Sequence, residues 1–359
     1  MSPEYWMVLL SILFFGSLAQ KNPIVVRKPN MKYTVRPDKG AVIILSVILI
    51  AVSGLRYWVG MDYGAYYRWN ISEWAVVWDK LIHFREGGFS LLVKLARAIW
   101  NDGQSVILIS ALVTIGLYCQ TIYRYSPLYL LSMLLYLFMG EWQGGFNGVR
   151  QYLAAAVVFS GHRLILDRKL WQYCLVVLTA SMFHMSALVM FLPYFLFTRK
   201  PDLPRILLLA AGAVIIRFSY DLIFDLISSY KGSIMDVVGD AYLSNSVNIF
   251  RILFAFIPVF IFILLCRKED YTKEQVFYVN AALFNAFSML ASMGSTYLAR
   301  IGIYTNAADI IGYVYLLELI DDEKTRKIST CFIMGIYLFY WLYSIQASGI
   351  GDFRWFFAR

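Results

Sequence analysis

The sequence predicts an all-α polytopic membrane protein, read as a single transmembrane domain over residues 1–359. Three observations carry this. Sixty per cent of the 359 residues are hydrophobic and only 15% are charged, against about a quarter charged in soluble domains. The apolar residues gather into about twelve runs. The basic residues fall mostly between the runs and sort into two kinds of linker. The net charge of +9 points to the lipid bilayer and not to nucleic acid, because cytoplasmic loops of membrane proteins accumulate Lys and Arg.

A spanning helix needs about 20 apolar residues. The runs are 4–19, 41–58, 104–123, 127–141, 149–166, 170–183, 185–197, 206–219, 249–266, 275–293, 301–320 and 328–346. The first has no basic region before it and basic sequence after it, so it reads as a span and not as a cleaved signal. Runs 170–183 and 185–197 are short, with His184 between them. They are either two spans or a broken, re-entrant hairpin, which survives only where protein or a water-filled cavity covers the backbone. The linker after the first run carries Lys21, Arg27, Lys28, Lys32, Arg36 and Lys39, which places it in the cytoplasm. Alternation then puts both termini outside, with outer segments at about 59–103 and 220–248.

On this topology the inner side holds 9 Arg and 10 Lys, and the outer side 10 Arg and 3 Lys. Mixed Lys and Arg suit topogenic charge. An arginine bias suits recognition, because a guanidinium makes forked hydrogen bonds to phosphate or carboxylate. Arg56, Arg150, Arg217, Arg251 and Arg300 stand at the outer edges of separate runs. Arginine near hydrocarbon is costly without a partner. Any one of them could snorkel to lipid headgroups, whereas several together suggest an anionic ligand.

In the outer segment at 59–103, Asp62 follows Gly60 among Tyr63, Tyr66 and Tyr67. That carboxylate suits acid/base work or sugar hydroxyls, or an ion pair with Arg56. The stretch 90–100 has one apolar face and is expected to lie along the outer interface. Asp221, Asp225, Asp236 and Asp240 mark the second outer segment. Between the fourth and fifth runs, Gly144, Gly145 and Gly148 precede Arg150 and Gln151. Exposed amides at a helix start beside a guanidinium make a phosphate seat. His184 suits phosphate binding, proton transfer or capping of helix ends. Asp309 lies inside a run and needs a partner. Cys119, Cys174, Cys266 and Cys331 lack metal-ligand spacing and read as packing residues. No Asp-x-Asp pair, P-loop, GxSxG or HExxH occurs, so no metal or cofactor is expected.

Several of these segments resemble one family. Gly54-Leu55-Arg56-Tyr57, Val59-Gly60, Asp62-Tyr63 and Tyr66 resemble the first motif of the EpsG family, Wzy-type polymerases of bacterial exopolysaccharide and O-antigen. Gly148-Val149-Arg150-Gln151 is similar to its G-[VI]-R-Q element, and Phe183-His184-Met185-Ser186-Ala187-Leu188 to its FH-x-SAL element. Arg300 with Tyr304 matches a later arginine–tyrosine element less specifically. Asp352–Phe357 resembles the tail but lacks its tyrosine. The resemblance implies a GT-C-like transmembrane fold. It implies undecaprenyl-pyrophosphate-linked oligosaccharides as substrates, joined at the outer face of the inner membrane, with a chain-length regulator as a candidate partner. On it, Arg56, Arg150 with Gln151, and Arg300 are expected to bind pyrophosphate, with Arg217 and Arg251 in reserve. Asp62 is the first candidate base and His184 the second. Tyr63, Tyr66 and Trp142 are expected to stack on sugars. The rivals are another lipid-linked glycan transferase, such as an O-antigen ligase, and a flippase of lipid-linked oligosaccharide.

Overall fold

A computed structural model describes residues 1–27, 33–83, 85–231, 249–265, 271–294 and 296–359, without the side chains of 24–35, 220–248 and 294–297. The described chain is helical apart from one antiparallel ribbon, β1 (Ile24–Arg27) with β2 (Tyr33–Arg36). The sequence reading missed this ribbon, because four-residue strands carry little periodicity. Each apolar run falls on helix, but the ends are set by local chemistry. Helix α1 (Pro3–Lys21) opens with proline at a position whose amide has no helical partner anyway. Helix α2 (Lys39–Gly54) is capped by Asp38, whose Oδ1 accepts the Ala41 amide at 2.8 Å. It stops at Gly54, so Arg56 lies past its end.

Three helices follow within residues 59–103: α3 (Tyr63–Arg68), α4 (Trp74–Ile82) and α5 (Gly87–Ile99). The apolar face expected for 90–100 is present, and protein covers it. Phe89, Leu92, Val93 and Ala96 of α5 are buried in a protein core with Tyr66, Val77, Ile107 and Leu153. Lys94 and Arg97 are used to pin the chain, Lys94 on the Ser72 carbonyl and Arg97 on those of Tyr67 and Trp69.

Helix α6 (Gly103–Tyr125) runs through the middle of this part, with α7 (Tyr129–Phe138), α8 (Glu141–Gly144), α9 (Val149–Ser160), α10 (Arg163–Leu166) and α11 (Leu170–Ser181) after it. The run 185–197 is a 3-10 turn over Met185–Phe191 and then α12 (Leu192–Leu196), so the break at His184 is present. Next come α13 (Leu203–Lys231), α14 (Ile249–Leu265), α15 (Lys273–Ala291), α16 (Thr296–Ala299), α17 (Gly302–Leu317) and α18 (Glu323–Ala347). By length and composition, α6 and α18 are long and apolar enough to cross a membrane; α2, α7, α11, Met185–Leu196 and α14 are shorter apolar helices. Leu10, Phe14, Trp171, Leu208 and Phe339 are exposed on helix surfaces. Such faces are expected where the surroundings are lipid tails.

The chain forms two compact units, Met1–Phe191 with Lys324–Arg359, and Leu192–Glu323. In the first, the two termini and the turn after α2 meet at one end. The Ser2 amide donates to the Gly351 carbonyl at 3.0 Å, Tyr57 to Arg354 at 2.8 Å and Phe356 to Leu55 at 2.8 Å. At the opposite end, the Asp38 amide donates to Ala19 at 2.8 Å, and Gln20 accepts the Leu130 amide at 3.0 Å. In the second unit, α15 starts from a capping box of Thr272 and Gln275. Its Asn285 donates to Asn306 at 2.7 Å and to Asp309 at 2.8 Å, and accepts Thr305 at 2.6 Å. The partner Asp309 requires is therefore a helix–helix hydrogen bond.

Candidate functional site

The first resembling motif is folded onto the second. Gly60 has φ +106°, and a Cβ there would stand 2.5 Å from the Phe146 carbonyl oxygen. Only glycine permits that approach. Asn147 then accepts the Met61 amide at 2.7 Å. Arg56 is 2% exposed. It donates to the Ser53 and Val59 carbonyls, and its Cζ stands 4.4 Å from the Phe146 ring centre. Its partners are therefore backbone and ring, not Asp62, and its place is inside the loop it holds together. Gln104, also buried, ties the same turn to α6 by donating to the Gly54 and Arg56 carbonyls and accepting Tyr63 Oη.

Arg150 has different surroundings. It sits in the first turn of α9, just past Gly148, with its side chain 30% exposed. Its guanidinium lies 5.2 Å over the Trp69 ring and pairs with Glu86. Tyr66, stacked on Trp69 with centroids 6.2 Å apart, stands against the same guanidinium. Burial raises the Tyr66 hydroxyl above its ordinary pKa, and Arg150 opposes that shift. The other Glu86 oxygen accepts the Met185 amide at 3.2 Å. The backbone supports this from below: the Gly88 and Phe89 amides donate to the Met182 carbonyl at 3.0 and 3.3 Å. The glycine-rich turn, the histidine motif and the segment 59–103 thus converge on one partly exposed cation.

The histidine motif supplies a directed chain of donors. The Ser186 amide donates to His184 Nδ1 at 3.3 Å, and Ser186 Oγ lies 2.7 Å from the same nitrogen. A backbone amide can only donate, so Nδ1 accepts and the neutral ring carries its proton on Nε2. Gln151 in turn donates to Ser186 Oγ at 3.4 Å. His184 so arranged has Nδ1 engaged as an acceptor. That suits an oxyanion better than it suits proton abstraction.

The remaining candidates separate. Asp62 is exposed at the start of α3 and acts electrostatically on Tyr66. Tyr63 is fully buried, and burial raises its hydroxyl well above the ordinary value. Trp142 is 2% exposed, donates to the Leu49 carbonyl at 3.3 Å and packs edge-on against Tyr5 and Phe146. As placed, Tyr63 and Trp142 pack the wall of the loop and do not present faces to a sugar. Arg217, Arg251 and Arg300 belong to the second unit: Arg251 exposed, the other two half-buried. Asp236 and Asp240 lie outside the described residues, as do the side chains of Asp221 and Asp225.

At the edge of this end, Asp102 caps α6 by accepting the Gln104 amide at 2.9 Å, and it accepts Arg359 at 3.0 Å. Partial burial pushes its carboxyl up. The Gln104 amide, Arg359 and Tyr67 outweigh this and hold it below the usual carboxylate range.

Sequence reasoning missed Glu86, Trp69 and Ser186. Ser186 stands inside a motif already singled out. Glu86 had a local signal, a lone carboxylate directly before Gly87-Gly88. Its meaning depends on Arg150, 64 residues away.

No curated protein and no solved structure matches the chain. The model of the EpsG family matches residues 41–356, a span that holds all the motifs assembled at this end of the first unit. This chain therefore belongs to the EpsG family, integral membrane proteins of the Wzy-type polysaccharide polymerase-like class.

Proposed function

We propose that this protein polymerises oligosaccharide repeat units carried on undecaprenyl pyrophosphate, at the outer face of the bacterial inner membrane. In the reaction an acceptor sugar hydroxyl attacks the anomeric carbon of the growing glycan. The bond from that carbon to the pyrophosphate oxygen breaks, and undecaprenyl pyrophosphate leaves with the electron pair. The hydroxyl proton passes to a carboxylate.

The observation that carries this reading is the convergence on Arg150. Charge develops on the leaving pyrophosphate, and preorganised donors stabilise it in the transition state. Arg150 is partly exposed, in the same turn of helix as Gln151, which reaches Ser186 and through it His184. Gln151 and Ser186 hold His184 through its Nδ1, beside the same turn of helix. Asp62, exposed and close enough to act on Tyr66, is the proton acceptor. Tyr66 and Trp69 fix the guanidinium. Arg56 serves by holding the motif, not by touching ligand. Arg300, Arg217 and Arg251 are assigned no contact here and are tested by single substitution. The meeting of both termini with the Arg56 turn at one end supports the topology with both termini outside.

The test is a detergent-solubilised assay with lipid-linked repeats. Wild type yields a ladder of products. Arg150→Ala yields none, while the protein stays in the membrane at wild-type level. Full-length polymer from Arg150→Ala refutes the assignment. A single addition in place of a ladder makes the protein a ligase-type transferase.

A further inference from the structure

We infer that Glu86 is a built-in competitor for the Arg150 seat, raising the threshold so that a pyrophosphate can occupy it and the phosphodiesters of bulk lipid headgroups do not. This rests on the proposed role of Arg150. One Glu86 oxygen pairs with the Arg150 guanidinium, and the other accepts the Met185 amide at 3.2 Å. Two donors from separate motifs therefore converge on a single carboxylate. Carboxylate and phosphate oxygens compete for the same charged donors.

The carboxylate is delivered by the backbone and not by chance. Glu86 has φ +55° and ψ +39°, a left-handed conformation uncommon for any residue but glycine. It is followed by Gly88, where a Cβ would stand 2.8 Å from Met182 Cβ. That close approach fixes the start of α5 against the histidine motif. The pair is also reachable, with side chains 30% and 22% exposed. It leaves Arg150 Nε buried without an acceptor, so Glu86 does not saturate the guanidinium.

A phosphate-binding arginine at a membrane interface faces a high density of monoanionic headgroups. An internal carboxylate imposes the same displacement cost on every incoming anion. A weak, singly charged ligand then fails to bind, and a pyrophosphate with more charge and more oxygens still does. No bond is made or broken in this exchange. Glu86 gives up Arg150 and turns toward water.

The experiment measures binding of inorganic pyrophosphate and of dimethyl phosphate to the purified full-length protein by calorimetry. Glu86→Gln keeps the shape and one acceptor oxygen for Met185, and puts an uncharged amide NH2 in place of the oxygen that pairs with Arg150. It is expected to bind pyrophosphate roughly tenfold tighter than wild type, equivalent to about 1.4 kcal/mol, and to bind dimethyl phosphate where wild type does not. A simple structural clip predicts no gain. Equal or weaker pyrophosphate affinity in a Glu86→Gln protein of wild-type Tm overturns the proposal. If Glu86→Gln does not fold, Glu86→Asp decides. Its shorter carboxylate pairs less well and should bind pyrophosphate tighter than wild type, and equal or weaker binding overturns the proposal. Arg150→Ala in the Glu86→Gln background separates the two levels. Retained pyrophosphate affinity there means that Arg150 is not the seat, whatever Glu86 does.

Discussion

Gly60→Ala tests whether the junction between the first motif and the glycine-rich turn positions the site. The backbone at Gly60 has φ +106°, and an added Cβ would stand 2.5 Å from the Phe146 carbonyl oxygen and 2.9 Å from Asn147 Oδ1. The conformation costs an L-residue about 1–3 kcal/mol. Overlap with a fixed backbone oxygen costs about 1–3 kcal/mol more. Against this, the Met61–Asn147 hydrogen bond contributes only about 1 kcal/mol. The loop should therefore lift from the turn instead of absorbing the clash. Tyr66, which stands against Arg150, moves with it, and a displacement of about 1 Å can cost on the order of 100-fold in rate. The assay is polymer output beside Tm, with Gly116→Ala as control. Gly116 lies inside α6 with nothing within 4 Å of a built Cβ, so alanine there should be neutral or stabilising by up to about 1 kcal/mol. Gly60→Ala is expected to lower Tm by several degrees and output at least tenfold. A Gly60→Ala protein indistinguishable from Gly116→Ala in both readouts refutes the reasoning.

Three further outcomes follow from the same contacts. Arg56→Ala should lower Tm and membrane level, whereas Arg150→Ala should lower polymer alone, because Arg56 is 2% exposed and spends its donors on the Ser53 and Val59 carbonyls; the measurement is thermal unfolding in detergent beside product ladders. Trp69→Ala removes the ring under Arg150, worth about 0.5–2 kcal/mol, and should raise KM for the lipid-linked donor several-fold; it also strips packing from Tyr66 and Phe89 and lowers Tm, whereas Trp69→Phe, which keeps a ring there, should recover both. Asp102 titrates below the ordinary carboxylate range in the folded protein, so its hold on the C-terminal Arg359 is complete above the ordinary carboxylate pKa and is lost as pH falls through the depressed one; protease cleavage of the tail should rise in that acid window, and Asp102→Asn, which keeps the cap, should remove the pH dependence.

The positions of most helices were legible because hydrophobicity and capping are local. Asp38 and Thr272 start their helices through atoms three residues away. The break at His184 was legible for the same reason, as two apolar runs too short to be one. The arginines illustrate the limit. In sequence, Arg56 and Arg150 are alike: each stands at the outer edge of an apolar run beside glycine-containing motifs. Their roles divide only when partners are seen. Arg56 closes on carbonyls three residues to either side, and Arg150 reaches a carboxylate from a distant loop. In the stretch 90–100 the apolar face was legible and what covers it was not, because an amphipathic helix has the same pattern whether protein or lipid lies against that face.

By itself the sequence determined that this is a helical membrane protein and which motifs belong together. These follow from composition, charge and spacing, which need no knowledge of neighbours. The tertiary structure decided which arginine is a strut and which is a partly open cation, that Glu86 occupies that cation, and that Ser186 engages His184 Nδ1. Each of these depends on the partner a polar atom finds in the folded chain, and a buried hydrogen-bonding group takes whichever partner the packed helices bring to it.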